Sequence, residues 1–216
     1  MSHHRVDVRD LCFTYPDGTA ALHELSFHVT HGEAVGLVGG NGAGKSTLLQ
    51  HLNGYLTPTS GEIRIGDVPL CPSTLPAIRR AVGMVFQDPD DQLFMPTVAE
   101  DVAFAPLNAG LPAAEVERRV TEALQRVGAA HLRQRPPYKL SGGEKRAVAI
   151  ATVLAMEPDI LVMDEPSANL DPRGRRRLIS LLESFTHTRL IATHDLELVV
   201  ELCPRVILLD AGRLIA

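Results

Sequence analysis

The chain has 216 residues, of which 45% are hydrophobic and 22% charged, with a formal net charge of −5. This length and composition are typical of a globular protein with one domain or two packed lobes. The acidic balance argues against nucleic-acid binding, and no apolar run approaches the roughly 18 residues of a membrane span. Three widely spaced cysteines do not predict a disulfide framework, and residues 1–5 do not predict a signal peptide.

The first third of the chain predicts mostly strands. Alternating apolar residues begin at Val6 and Val8, and their phase changes near Asp10, which predicts a bulge. Further on, a short apolar run ends at glycines, as a buried parallel strand does. The elements expected here, after the first strand, are a strand at 26–29, a strand at 34–38, a helix at 45–52 and a strand around Ile63 and Ile65.

The middle of the chain, about residues 87–139, has several prolines with helical stretches between them. The clearest helix begins near Pro112, which suits a first turn. Val116, Val120 and Leu124 fall on one face of this helix, and Gly128 is a natural stop. This pattern predicts an all-helical lobe inserted into an α/β core.

After Leu140 the α/β pattern returns. Short apolar strands alternate with helices, which predicts a mostly parallel sheet with crossover helices. The elements expected are helices at 142–156, 173–185 and 195–202 and strands at 160–163, 190–193 and 206–209. We therefore expect one α/β domain over 1–216, with a core of about 1–87 and 158–216, N-terminal antiparallel strands and a helical lobe of about 88–157.

Residues 39–47 form a glycine-rich segment that matches G-x-x-x-x-G-K-[ST] between a predicted strand and a predicted helix. Glycines let several backbone N–H groups point at one anion, and the start of the next helix adds positive potential. Lys45 can reach the β- and γ-phosphates, and the Ser46 hydroxyl can bind Mg²⁺. The residues predicted to bind the nucleotide here are Gly39, Asn41, Gly42, Ala43, Gly44, Lys45, Ser46 and Thr47.

Two carboxylates, Asp164 and Glu165, follow the apolar run 160–163. The carboxyl ends of parallel strands are where α/β sheets bind ligands. We expect Asp164 to bind Mg²⁺ and Glu165 to polarise the water that attacks the γ-phosphate. The alternative is that the pair only ends the strand and caps the next helix, but the phosphate loop upstream favours catalysis. Together these segments predict the core of a P-loop NTPase, and the lack of an Asn-Lys-x-Asp motif argues against a small GTPase.

Residues 140–144 predict a second helix start that suits an anion. Ser141 is a good N-cap and Glu144 stands three residues later, which gives the capping-box pattern. Gly142 and Gly143 leave the backbone amides open to a close anion. Because one nucleotide needs only one phosphate loop, this second start suggests an opposing contact on the same γ-phosphate.

The segment 140–144 resembles the signature motif of ABC ATPases, and the other motifs of that family occur in order across essentially the whole chain. In that family the signature motif closes on ATP held by a partner subunit, so that two ATP molecules lie between two head-to-tail protomers. By this resemblance Tyr15 stacks on adenine. Gln87 is expected to contact the γ-phosphate, the attacking water and Mg²⁺, and His194 the γ-phosphate.

Residues 167–171 resemble the D-loop of the same family, which crosses the dimer interface, and Asp171 is expected among the nucleotide-binding residues. The resemblance implies ATP and Mg²⁺ as ligands. It also implies a homodimer, or a heterodimer with a second ABC ATPase, together with integral membrane coupling and substrate-binding subunits. It places the chain peripherally at the cytoplasmic face of the cell membrane, with no nucleic acid as partner.

Residues 85–104 narrow the type of ABC ATPase. They resemble the ATPases of energy-coupling-factor importers, which take up vitamins or transition metals such as cobalt and nickel, and Pro89 with residues 93–95 is expected to contact the membrane partner. The short chain with one complete motif set favours the cobalt or nickel branch. A vitamin importer of the same group, and a non-transport ABC ATPase acting on DNA or ribosomes, remain alternatives. The arginines within 173–177 are interpreted as a solvated helix face.

Overall fold

The computed structural model describes residues 5–216, so most of the segment considered for a signal peptide lies outside the described residues. The chain divides into two compact units. The first, called the core unit, comprises residues up to Met84, Asp159–Glu165 and Thr186–Ala216. The second, called the helical unit, comprises Val85–Pro158 and Pro166–Phe185.

Strands and helices alternate along most of the described chain. The strands are β1 (Val6–Thr14), β2 (Ala20–Val29), β3 (Ala34–Val38), β4 (Ser60–Ile65), β5 (Val68–Pro69), β6 (Val82–Val85), β7 (Ile160–Asp164), β8 (Thr188–Ala192), β9 (Arg205–Asp210) and β10 (Arg213–Leu214). The helices are α1 (Lys45–Leu52), α2 (Leu75–Ala81), α3 (Val98–Asn108), α4 (Ala113–Arg126), α5 (Gly142–Leu154), α6 (Pro172–Ser184) and α7 (Leu196–Leu202).

The core unit contains an antiparallel sheet built from the N-terminal strands, in the order β2-β1-β4-β5. The register between β1 and β2 shifts between Val8 and Leu11, at the predicted bulge. Asp10 has φ 47° there. Its backbone N–H donates to the Ser26 hydroxyl at 2.8 Å, and that hydroxyl donates to the Asp10 carboxylate at 3.0 Å. These two bonds stabilise the left-handed backbone that a bulge needs.

The second sheet has the order β10-β9-β3-β8-β7-β6 and carries the nucleotide motifs. β3 pairs in parallel with β8 and β9, and β7 pairs in parallel with β8. All five residues of β7 are buried, as expected for a strand covered on both faces. Because these strands are parallel, their carboxyl ends meet at one edge of the sheet. The mixed α/β fold predicted from the sequence is confirmed.

The helical unit contains α3, α4, α5 and α6. The face of α4 predicted to be apolar is buried at Val116, Val120 and Leu124, and Gly128 follows with φ 71°. Helix α3 begins after Thr97, whose hydroxyl accepts the Glu100 backbone N–H at 3.3 Å. Among residues 5–216, no helix has both the length and the apolar character needed to cross a membrane.

Residues 166–185, expected in the core from the sequence, group with the helical unit. Helix α6 accounts for this, because its Leu178 and Leu181 line one cavity together with Val127 and Ile150 of the helical unit. Between β6 and β8, the core unit therefore includes only Asp159–Glu165 and the two residues directly before β8. The sequence alone does not reveal that residues 166–185 belong to the helical unit, because the pattern of strand followed by helix is the same for either grouping.

Candidate nucleotide site

The glycine-rich loop between β3 and α1 needs glycine at two of its positions. Gly39 has φ 155°, and a Cβ there would lie 2.2 Å from the Leu209 carbonyl oxygen. Gly44 has φ 101°, and a Cβ there would lie 2.9 Å from Cδ2 of Leu22. Both positions combine a backbone conformation that side chains disfavour with a neighbour that leaves no space. The loop is therefore held in a tight curve at the edge of the parallel sheet.

The start of α1 leaves its backbone amides to an outside partner. Gly44 is the N-cap and offers no side-chain hydrogen bond, and the first turn has no acidic residue. The first amides of a helix lack partners within the helix, so this end suits an anion. Asn41 and Gly42 are exposed at the tip of the loop, whereas Ala43 is buried and accepts the Gly212 N–H at 3.0 Å.

Lys45 is held against the same loop. Its ammonium donates to the carbonyl oxygens of Gly39 at 2.8 Å and Gly40 at 3.0 Å. The side chain is only 8% exposed, so its charge faces the loop and not bulk solvent. A phosphate bound in the loop would replace these contacts to neutral carbonyl oxygens with stronger contacts to charged phosphate oxygens.

Ser46 and Asp164 supply the oxygen ligands that Mg²⁺ prefers. Ser46 is in the first turn of α1, and Asp164 is the last residue of β7, only 3% exposed. Helix α1 packs on β7 and β8, which places both residues at the same edge of the core unit. A hydroxyl and a carboxylate there fit a hard divalent cation, so the prediction of Mg²⁺ at these two residues is compatible with the fold.

Glu165 and His194 lie together at the carboxyl ends of β7 and β8. The Oε2 atom of Glu165 accepts the Thr193 hydroxyl at 2.9 Å and the His194 backbone N–H at 3.2 Å, and it lies 2.9 Å from His194 Nδ1. Glu165 is 8% exposed, whereas the His194 side chain is 75% exposed. The carboxylate is thus fixed in position beside an imidazole that remains accessible, an arrangement suited to orienting a water molecule.

Thr193 completes this group, although the sequence analysis did not select it. Thr193 is fully buried, and its hydroxyl also accepts the Asp195 backbone N–H at 3.1 Å. One hydroxyl therefore links the catalytic candidate Glu165 to the turn that begins α7. Its place directly before His194 was the available signal.

Tyr15, expected to stack on adenine, is anchored to α1. Its hydroxyl lies 2.9 Å from the Thr47 hydroxyl, and its ring packs edge-on against Phe13 at 4.8 Å between centroids. Phe13 packs in turn edge-on against His51 at 4.6 Å. Burial lowers the pKa of His51, which favours the neutral imidazole at the inner end of this row of rings. The Thr47 hydroxyl therefore fixes the position of the Tyr15 side chain, and the stacking of Tyr15 on adenine remains a prediction.

The helical unit carries the second helix start. Ser141 and Glu144 form the predicted capping box: the Glu144 carboxylate accepts the Ser141 backbone N–H and hydroxyl, both at 2.8 Å, and the Glu144 N–H donates to the Ser141 hydroxyl at 3.4 Å. These bonds from Ser141, with help from nearby Arg135, lower the pKa of Glu144. A Cβ at Gly142 would meet nothing within 4 Å, so the backbone there is open to an approaching group.

Gln87 lies in an exposed loop whose backbone is fixed to α5 by Arg146. The Arg146 guanidinium is 3% exposed and donates to the carbonyl oxygens of Phe86 at 2.8 Å and Gln87 at 2.5 Å. The Gln92 side chain adds to the link: it accepts the Phe86 N–H at 3.2 Å and donates to the Ala149 carbonyl oxygen at 2.7 Å. The loop that carries Gln87 is thus bonded to the helix that begins at Ser141.

Arg146 and Gln92 were not among the residues selected from the sequence. A basic residue one turn into a helix is common, and so is a glutamine in a loop. Arg146 and Gln92 matter because both form hydrogen bonds with the backbone of the loop at Gln87. The nearby ion pair between Lys145 Nζ and the Asp90 carboxylate, at 2.6 Å, adds a third link between the same two segments.

Asp171 caps α6 by accepting the Gly174 N–H at 2.6 Å. The preceding Asn169 has φ 61°, and Leu170 packs between the two helix starts, near Gly143 and Gly174. The structure gives Asp171 a capping role, and its contact with a nucleotide remains a prediction. The capping places the loop 167–171 beside the start of α5 within the helical unit.

Comparison with known proteins identifies the family. The model of the ABC transporter family matches residues 22–168. A putative ABC transporter ATP-binding protein, GSU1281 of Geobacter sulfurreducens, is 66% identical over 216 residues, which cover 100% of this chain and 87% of the relative. The energy-coupling factor transporter ATP-binding protein EcfA of Methanocaldococcus jannaschii is 50% identical over 215 residues, which cover 97% of this chain and 77% of that protein.

A solved structure agrees with these relatives. It is that of CbiO1 from Clostridium perfringens, described as part of the ABC transporter complex cbiONQ. The TM-score is 0.85 and the identity 42%, with 98% of this chain and 86% of that chain covered. The chain belongs to the ABC transporter ATP-binding family, and its activity is the hydrolysis of ATP in an ABC transporter.

Proposed function

We propose that the chain is the ATPase subunit of an energy-coupling-factor type importer, and that two copies hold two ATP molecules between them head to tail. The observation that carries this proposal is the presence of two separate anion-suited helix starts, one at α1 in the core unit and one at α5 in the helical unit. The name of the 50% identical relative, EcfA, supports the importer type.

The core unit holds the groups that the hydrolysis step requires. The glycine loop and Lys45 bind the phosphates of ATP, and Glu165 accepts a hydrogen bond from the attacking water on the γ-phosphate side. As the water oxygen bonds to the γ-phosphorus, its proton passes to the Glu165 carboxylate, and the β-phosphate oxygen leaves with ADP. His194, beside Glu165, donates to a γ-phosphate oxygen and keeps the carboxylate oriented.

Three residues are proposed to hold Mg²⁺. Ser46 and Asp164 lie in the core unit, and Gln87 lies in the helical unit. When bound, the ion neutralises the charge that develops on the β- and γ-phosphate oxygens. For Ser46 and Asp164 the proposal rests on their side-chain oxygens at one edge of the sheet. For Gln87 it rests on the family resemblance.

The helical unit closes the site in the partner copy. The amides of Gly142 and Gly143 and the Ser141 hydroxyl are proposed to contact the γ-phosphate bound to the other protomer. For this the hydroxyl must turn away from the Glu144 carboxylate, to which it now donates at 2.8 Å. Glu144 keeps the Ser141 backbone N–H at 2.8 Å, so α5 stays capped during the exchange.

An exposed apolar cluster on the helical unit is proposed as the contact with the membrane subunit. Phe94 is 62% exposed and packs edge-on against Phe104 at 4.9 Å, and Leu107 is also exposed. Leu93, which the sequence placed in the same contact, is 7% exposed and belongs to the packed interior. Exposed aromatic residues of this kind are typical of a partner interface. Association through this cluster would hold the chain at the cytoplasmic face of the membrane.

For the cargo we propose a transition-metal ion, cobalt or nickel. The single complete motif set suits one ATPase acting as a homodimer, and the resemblance of residues 85–104 supports the importer group. A vitamin importer of the same group is the second candidate, supported by the same segment. The net charge of −5 gives no support to a DNA- or ribosome-linked ATPase.

The experiment that tests the importer is a detergent pull-down of the tagged chain from its own cell membranes, with mass spectrometry of the partners. We expect a small polytopic membrane protein and a substrate-binding membrane subunit, and elemental analysis of the complex should detect cobalt or nickel. A Phe94→Ser variant should lose these partners, whereas Tyr138→Ser, at an even more exposed aromatic residue, should retain them. Recovery of DNA or ribosomal proteins in place of membrane subunits would contradict the proposal.

A further inference from the structure

The helical unit contains a cavity of about 570 Å³, which we name the α5–α6 cavity. Its apolar wall is formed by α5, α6 and the segment that follows α4, and it includes Val127, Leu132, Ile150, Leu178 and Leu181. This volume and this mostly apolar lining are typical of sites that bind small molecules. The lining also includes the start of α5, which is proposed to contact ATP in the partner copy, but the hydrolysis step uses none of the residues of the apolar wall.

Next to this cavity lies a shallow basin formed by four arginine side chains, which we name the arginine basin. It consists of Arg126, at the end of α4, and Arg173, Arg176 and Arg177 on α6. All four residues are exposed, and across residues 5–216 none of the four forms an ion pair with a carboxylate. Four neighbouring guanidinium groups of one sign repel each other and favour a bound anion.

The cavity and the basin are adjacent, because Arg177 and Leu181 line both. Arg177 also extends over the end of α4, where a Cβ at Gly128 would lie 3.8 Å from its guanidinium. An apolar pocket therefore opens beside a cluster of arginine side chains. This combination matches a ligand with two different ends.

We propose that the α5–α6 cavity and the arginine basin together bind an amphipathic anion, with its apolar body in the cavity and a phosphate-type head among the arginines. Arginine forks bind both carboxylate and phosphate oxygens in pairs, and four neighbouring positive charges favour the head with the higher negative charge, which is the phosphate. The head can belong to a free alkyl phosphate or to a lipid with a phosphate head group. Gly143 and Asp171 also line the cavity, so the bound molecule contacts the first turns of both α5 and α6.

The first test is calorimetric titration of the full chain with octyl phosphate. A Lys45→Ala background prevents the glycine loop from binding the head group. Octanol supplies the body without the charge, and inorganic phosphate supplies the head without the body. We expect octyl phosphate to bind once per chain and both fragments to bind at least about tenfold more weakly. Equal affinity for inorganic phosphate would overturn the apolar part of the site, and no heat at millimolar octyl phosphate would overturn the site itself.

Two variants locate the binding. The double change Arg173→Gln with Arg176→Gln should weaken octyl phosphate by about tenfold, because it removes two charge-assisted contacts to the head. The matched control, Arg80→Gln with Arg213→Gln, removes the same charge from exposed positions in the core unit and should change nothing. Equal affinity of these two double variants would contradict the proposal. Exposed positions are chosen so that both proteins fold.

A third variant fills the cavity. Ala147 lines it from α5, and Ala147→Met would occupy the volume with a flexible apolar side chain. We expect octyl phosphate to bind about tenfold more weakly while inorganic phosphate is unaffected. Thermal melting confirms that the variant folds, and if it does not, the exposed arginine pair still decides the outcome. Vesicles containing a phosphate head-group lipid then distinguish the sources: co-sedimentation indicates a membrane lipid, and its absence a free amphiphile.

Discussion

The imidazole Nδ1 of His194 lies 2.9 Å from Oε2 of Glu165, which directly follows β7, and His194 is the second residue after the neighbouring parallel strand β8. The Glu165 carboxylate already has two further donors, the Thr193 hydroxyl and the His194 backbone N–H. The position of the Glu165 carboxylate therefore does not depend on the His194 side chain alone. In this proposed catalytic pair, the Glu165 carboxylate is buried and the His194 side chain is exposed.

The change Glu165→Gln should trap the ATP-bound dimer. The amide keeps the size and several hydrogen bonds of the carboxylate, but it cannot accept the proton of water, so hydrolysis should fall by at least about 100-fold. ATP affinity should remain, and light scattering with ATP and Mg²⁺ should show a dimer. Glu24→Gln, at an exposed glutamate of β2, serves as the control and should hydrolyse ATP normally. A monomer at micromolar concentration would contradict this prediction.

The change Lys45→Ala should remove nucleotide binding. It deletes the ammonium that the loop carbonyl oxygens of Gly39 and Gly40 now hold. Titration with a fluorescent ATP analogue should show affinity reduced by about 100-fold or more, since charge-assisted phosphate contacts are strong. Lys139→Ala, at an exposed lysine of the helical unit, is the matched control. Unchanged affinity in Lys45→Ala would disprove the assignment of the phosphate loop.

The change Thr193→Val should lower kcat with little effect on KM. The valine has the same shape but leaves the Asp195 N–H and Glu165 without the shared hydroxyl, so the unfolding free energy should fall by about 1–3 kcal/mol. Thr193→Ser restores the hydroxyl and should recover most of kcat. A role in packing alone predicts the opposite pattern, in which serine is the worse replacement because it lacks the methyl group.

The change Arg146→Met should uncouple the loop at Gln87 from α5. Two carbonyl oxygens lose a charged donor, and the unfolding free energy should fall by about 2–3 kcal/mol. Hydrogen exchange should show faster exchange in residues 86–92 than in the wild type. Arg135→Met, at a weaker contact of 3.8 Å with Glu144, is the control and should leave this segment protected. Equal exchange in both variants would argue against the link.

The capping box predicts a pH dependence of stability. Its bonds lower the pKa of Glu144 in the folded chain, so Glu144 stabilises the fold above the pKa of an unfolded glutamate, about 4.3. This contribution is lost as the pH falls through the lowered pKa. Melting temperatures of the wild type and Glu144→Gln should therefore differ at neutral pH and converge in acid. A difference that stays constant with pH would contradict it.

Much of the fold follows from local patterns. The helix at Lys45–Leu52, the bulge at Asp10 and the capping box at Ser141 each depend on neighbouring residues, and the sequence predicted all three. The grouping of 166–185 with the helical unit was not predicted, because it depends on which apolar faces meet after folding. Strand and helix patterns carry no information about that choice.

The candidate site divides in the same way. Glu165 was selected from its position after an apolar run and His194 from the family resemblance, and the register that pairs Asp164 with Ala192 brings them together. Thr193, Gln92 and Arg146 were missed because their importance arises from contacts between segments distant in sequence. Arg146, for example, reaches backbone oxygens 59 and 60 residues away along the chain.

The three links between the loop at Gln87 and helix α5 have a thermodynamic consequence. A membrane subunit that contacts this loop and a nucleotide that contacts the start of α5 act on one hydrogen-bonded body. Reciprocity then requires that whatever factor the membrane subunit adds to ATP affinity, ATP adds the same factor to the affinity for the membrane subunit. When ATP is absent from the site, the affinity for the membrane subunit is therefore lower by the same factor by which that subunit raises the affinity for ATP.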